Sequence, residues 1–110
     1  MRTLLLSAPK DKDAASGLHR PFNNILTSRV GPEYAIYRNL VGQIITGMKV
    51  VVFDRGGHGR QAEGVLAGLT LTGRKTGTGV LRYNVLIRDL NEVAYTRPPQ
   101  VNRCGVGFTA

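Results

Sequence analysis

Two stretches decide the fold: Ala62-Glu63-Gly64-Val65-Leu66-Ala67-Gly68-Leu69-Thr70-Leu71 and, after a Gly-rich interval, Leu81-Arg82-Tyr83-Asn84-Val85-Leu86-Ile87-Arg88. In the second, Leu81, Tyr83, Val85 and Ile87 alternate with Arg82, Asn84 and Arg88, the period of a strand with one covered face and one wet face. The first alternates likewise, which assigns Val65, Ala67, Leu69 and Leu71 to the covered face, with Glu63 beginning that side at an exposed end. With Thr72 to Gly79 between them, the two segments read as one long antiparallel hairpin.

Working outward, Lys49-Val50-Val51-Val52-Phe53-Asp54 is an unbroken β-branched and aromatic run, which suits a strand covered on both faces. Thr3 to Ala8 reads as an opening strand. Val93 to Tyr95 and Gly105 to Thr109 read as short final strands, separated by Arg97-Pro98-Pro99, where two prolines exclude regular pairing. Gly31-Pro32-Glu33 is expected to open a helix, since Pro fits the first helical position and Glu33 the positive dipole end. Ile36, Tyr37, Leu40 and Val41 then fall at helical spacing, and Gly42 stops the helix. Pro9 to Gly31 is polar and irregular, with a short helical turn expected over residues 11–15. The resulting fold class is α+β: a small, mostly antiparallel, curved sheet or partly open barrel of five to six strands with one or two short helices.

At 110 residues the chain has the size of one domain, residues 1–110. Its formal charge of +8, from 15 Lys+Arg against 7 Asp+Glu, favours approach to phosphate-rich, polyanionic partners. The excess is spread out: six basic and three acidic residues precede Lys49, and nine and four follow from it onward. Cys104 is the single cysteine, which excludes an internal disulfide and points to a cytoplasmic, bacterial-type setting. The opening Leu4-Leu5-Leu6 is followed directly by Lys10, Asp11, Lys12 and Asp13. That is too short an apolar run for a signal sequence or a membrane span, so no membrane partner is expected.

Two loops carry the chemistry. Arg55-Gly56-Gly57-His58-Gly59-Arg60 lies between strands and reads either as a ligand-approaching loop or as a plain glycine turn. Gly73-Arg74-Lys75-Thr76-Gly77-Thr78-Gly79 has the composition of a phosphate loop but the wrong order and setting, because it joins two antiparallel strands and opens no helix. It reads instead as a cationic finger for a sugar-phosphate backbone, or as a solvated tip. Arg82 and Arg88 form an outward row that either tracks a backbone or is simply the wet face of a sheet. The candidate nucleic-acid contacts are therefore Arg55, Arg60, Arg74, Lys75, Arg82 and Arg88. Tyr37 and Tyr83 are assigned to buried faces. His19, His58 and Cys104 stand apart, so no metal or other cofactor is expected. His58 lacks a partner at catalytic spacing, and no catalytic residue is assigned.

The order of these features resembles the PUA-like superfamily, the small β-barrels that include PUA, ASCH and EVE domains. The residues that carry it are Leu6-Ser7-Ala8, the Gly47 lead-in to Val50-Val51-Val52-Phe53, and the Gly64-containing strand followed by Arg82-Tyr83-Asn84-Val85. The resemblance implies RNA or DNA binding, with a modified base held beside the first strand. It would place Ser7 and Pro9 at the pocket rim and Phe53 at its wall; His58 is a candidate pocket residue only for a small-molecule or enzymatic site. The chain departs from the family in having Gly47-Met48-Lys49 where members often have Gly-Asp, and in lacking Trp.

Three functions are thus in competition. The first is a non-catalytic nucleic-acid-binding module. The second is a small-molecule-binding or enzymatic barrel with a pocket at the sheet mouth. The third is an oligomeric accessory protein of a mobile element, a homo-oligomer formed through exposed strand edges.

Overall fold

A computed structural model of the chain describes residues 2–8, 22–54, 60–96, 101–102 and 104–109. In chain order the elements are β1 (Thr3–Ala8), α1 (Phe22–Ser28), β2 (Val30–Ala35), α2 (Arg38–Val41), β3 (Lys49–Asp54), β4 (Gln61–Lys75), β5 (Leu81–Val93) and β6 (Val106–Thr109). The six strands form one sheet in the order β2-β5-β4-β3-β1-β6. The sheet is mixed: β1 and β3 run parallel, and the other four pairings are antiparallel. A parallel pair needs a long crossover, and here α1, β2 and α2 all lie between the two strands.

Strand alternation sorts the side chains of β1 and β3 between two apolar layers. Leu4, Leu6 and Ala8 join Val50 and Val52 in the main core, together with Phe22 and Ile25 from α1. On the other face Leu5, Val51 and Phe53 pack together with Val101. The centre of the sheet is therefore covered on both sides, as the continuous apolar run of β3 demands.

The sheet is not closed, but it is strongly curled. β2 and β1 are four places apart in the strand order, a distance of about 19 Å in a flat sheet at the usual strand spacing. Yet the hydroxyl of Tyr34, on β2, donates a 2.9 Å hydrogen bond to the carbonyl of Ser7, on β1. Room for the ring comes from Gly31, where a Cβ would stand 2.8 Å from Tyr34 Cε2.

Three expectations are corrected. Gly31-Pro32-Glu33 opens no helix: it belongs to β2, and the helix that follows is only Arg38–Val41, capped at Gly42 as expected. Burial overrides the local helix signal, because Tyr34, Ala35 and Ile36 are all taken into the core. Pro32 is tolerated since β2 is an edge strand that needs no further donor, and Glu33 absorbs a bulge with φ of 57°. Secondly, Phe22–Ser28, within the stretch read as irregular, is helix α1.

The third correction concerns side-chain parity. Ala62, Gly64 and Leu66 face the core, not Val65 and Ala67. The pairing slips by one residue between Leu66 and Gly68, leaving Ala67 as an extra residue and returning Leu69 to the core side, opposite Val85. Leu71 and Leu81, expected on the covered face, are exposed because the core does not reach the end of the hairpin. A second slip, between Glu63 and Val65, coincides with Asp89 at φ 54° and turns Leu90 inward. At that crossing only glycine fits at position 64, because a Cβ would lie 2.7 Å from Ile87 Cγ2 and 2.9 Å from the Arg88 carbonyl. Two smaller corrections follow: Tyr37 is 37 % exposed and not buried, and residues 94–96 continue no strand. The turn expected over residues 11–15 lies outside the described residues.

Candidate nucleic-acid interface

The β4–β5 hairpin outruns its neighbours. β3 pairs with β4 only from Gln61 to Val65, and β2 pairs with β5 only from Arg82 to Leu86. On the β4 side the outer part of the hairpin therefore has a free edge, while β5 beside it is paired with β2 up to Arg82. The tip is shorter than expected because β4 extends to Lys75. Hydrogen bonds organise this tip: Thr76 N–H donates to the Val80 carbonyl, Val80 N–H to Thr76 Oγ1, and Gly79 N–H to the Thr76 carbonyl. Gly79 has φ 89°, a value that needs glycine.

Arg74 and Lys75 lie on this outer half, exposed, with no ion pair among the described residues. The other described candidates, Arg60, Arg82 and Arg88, are engaged elsewhere. Arg60 grips Glu92 through two hydrogen bonds of 2.9 and 2.8 Å, bonds Asn23 and covers the Phe22 ring. It thus ties α1 to the base of the hairpin. The same contact holds the Glu92 carboxyl below the usual carboxylate range, chiefly through the hydrogen bond from Arg60. Arg82 donates to the Glu33 carbonyl at 2.8 Å and, with Asn84 accepting from Glu33 N–H, fixes the β2 bulge. Arg88 pairs with its neighbour Asp89 at 3.2 Å. The five described candidates therefore do not form one free cationic set, and Arg55 lies outside the described residues.

Beside the tip is a cavity of about 450 Å³. Ile36, Tyr37 and Arg38 form one side of its lining, and Val80, Leu81 and Tyr83 another. The two sides are joined where Ile36 N–H donates to the Leu81 carbonyl. Lys75 stands opposite Leu81 in the hairpin, so the exposed cations of the tip and the cavity rim are neighbours. Arg38 is exposed and has no carboxylate partner among the described residues. Reading the sequence missed Arg38 and the exposure of Tyr37, because both sat in a segment read as a longer helix. No local pattern brings that segment against the hairpin tip, whereas the pairing of Ala35 with Arg82 does.

Ser7 and Phe53, the described candidates for a pocket, lie away from this cavity. Ser7 and Phe53 are register partners on the face opposite the main core, and Phe53 is in turn opposite Gln61. Ser7 Oγ is buried and has no hydrogen-bond partner among the described residues. Gln61 Oε1 accepts from Thr96 N–H at 3.0 Å. Pro9 and His58 lie outside the described residues. Among the described residues no group of three or more His, Cys, Asp or Glu side chains could hold a metal ion, and no helix is long and apolar enough to cross a membrane. No protein-family model, no curated protein and no solved structure matches the chain.

Proposed function

We propose that this chain is a non-catalytic nucleic-acid-binding module whose contact surface is the outer half of the β4–β5 hairpin with the adjoining cavity rim. One observation carries this reading. Among the described cations, Arg60, Arg88 and Lys49 are matched by carboxylates, Arg82 is bound to backbone and Arg2 bonds Gln43 and covers the Phe108 ring, while Arg38, Arg74 and Lys75 stay unpaired around the hairpin tip. Unpaired cations release counterions when they meet phosphates, which is the main source of affinity for a polyanion. Arg29 is also unpaired but stands at the far end of β2. A PUA-like relationship belongs to the same proposal and rests on the layout of β1, β3 and β4.

The test is binding to a mixed oligonucleotide pool from low to physiological salt, for the wild type and for Arg74→Gln/Lys75→Gln. Each lost phosphate contact should flatten the slope of log affinity against log salt by about 0.7 to 0.9. The double variant should therefore lose about 1.4 to 1.8 while retaining its melting temperature. Absence of wild-type binding even at low salt would remove the proposal. A second reading, a small-molecule site, draws on the cavity alone, whose size is within the range of ligand pockets. Binding of a small aromatic compound with no response to oligonucleotides would favour it.

A further inference from the structure

We infer that the cavity between β2–α2 and the hairpin tip receives an unpaired nucleobase of the bound strand, its flanking phosphates being met by Arg38 and Lys75. This inference rests on the nucleic-acid reading above and makes it specific for single-stranded segments.

The Tyr37 side chain makes no hydrogen bond among the described residues and lies half-exposed in the cavity lining. It occupies the N-cap of α2, yet makes no side-chain cap bond there; only its carbonyl is used, accepting from the N–H groups of Leu40 and Val41. It is also outside the core, at 37 % exposure, beside Leu81 at 44 %. A solvated hairpin tip does not need two large apolar side chains at its base. An aromatic-lined recess that takes a planar ring does, because stacking on tyrosine stabilises any base regardless of its sequence.

Charge points to the same occupant. No acidic side chain lines the cavity, and Arg38 is part of its lining. Lys75 stands one strand away, opposite Leu81. An apolar, aromatic recess bordered by cations matches a base joined to its phosphates better than a neutral apolar ligand or an acidic peptide. A base stacked in a duplex cannot enter, so the occupant comes from a single strand or is extruded. The recess is preformed, since the Ile36 to Leu81 bond and the tip hydrogen bonds hold its two sides without a ligand.

Fluorescence anisotropy with three labelled probes of equal length tests this: an oligothymidylate, the same strand in a blunt duplex, and an abasic strand. The wild type should bind the oligothymidylate about fivefold or more tightly than the abasic strand, the gain expected from stacking one base. Tyr37→Leu should abolish that difference, leave the salt slope unchanged and leave affinity for the abasic strand unchanged. Tyr37→Phe should retain it, and an unchanged melting temperature confirms that both variants are folded. If the wild type binds abasic and thymidylate strands equally, or Tyr37→Leu has no effect, while the salt slope persists, the base pocket is refuted and the nucleic-acid reading survives. If the wild type binds none of the probes at low salt, that reading itself fails. Free thymidine monophosphate binding as tightly as the strand would also overturn the inference, in favour of a small-molecule site.

Discussion

Replacing Tyr34 by Phe removes one oxygen from the bond that holds the curl of the sheet. The Tyr34 side chain is fully buried, and its hydroxyl reaches the Ser7 carbonyl at 2.9 Å from four strand positions away. Phenylalanine keeps the ring, so packing against Leu6 and the gap left by Gly31 is preserved. What is lost is the donor to the Ser7 carbonyl, and water cannot replace it because Ser7 is only 2 % exposed. A buried carbonyl deprived of its donor costs about 1 to 3 kcal/mol. Taking about 1.5 kcal/mol and a melting shift of about 4 to 8 °C per kcal/mol for a domain of this size, the melting temperature should fall by about 6 to 12 °C. Urea unfolding followed by circular dichroism, with thermal melts in parallel, measures both quantities. A midpoint indistinguishable from wild type would refute the idea that this bond holds β2 against β1, and the curl would then have to come from apolar packing alone.

Gly64→Ala should destabilise the fold by about 1 to 3 kcal/mol in the same urea assay, because the added methyl meets Ile87 and the Arg88 backbone where neither can easily retreat. Ser7→Ala should have the opposite sign, stabilising by up to about 1 kcal/mol, since it removes a buried hydroxyl with no partner among the described residues; a loss of stability would show that Oγ is satisfied in solution. For Glu92→Gln the effect should depend on pH. The folded-state pKa of Glu92 is depressed by Arg60, so its contribution is complete above the ordinary carboxylate range and disappears as pH falls through the depressed value. Stability curves of variant and wild type should therefore converge in acid; curves that stay parallel there would show that the pair contributes no linkage.

Strand content was legible because alternation and β-branched runs are local signals. β1, β3, the hairpin and β6 follow from residues that must bury one face or two, whatever their neighbours. Phase was less legible than period: a single extra residue at Ala67 exchanges inside for outside, and nothing in the composition of β4 marks where the slip occurs. At Gly31-Pro32-Glu33 the local chemistry favoured a helix start, but local preferences of this kind are weak beside the burial of Tyr34 and Ile36. The tyrosine that wins that contest is also the one that clasps the sheet.

Charge shows the same division. The sequence alone determines an excess of cations, the absence of an internal disulfide and the presence of two Gly-rich connections. It cannot tell which cations remain available, because availability depends on which carboxylates are brought near. Tertiary structure spends Arg60 on Glu92, Arg88 on Asp89 and Arg82 on the Glu33 carbonyl. It leaves Arg74 and Lys75 exposed and sets Arg38, from a segment with no local link to them, beside the same hairpin tip. Side chains far apart in the chain share a surface only through the pairing of β2 with β5, and that long-range register is written in no single stretch of sequence.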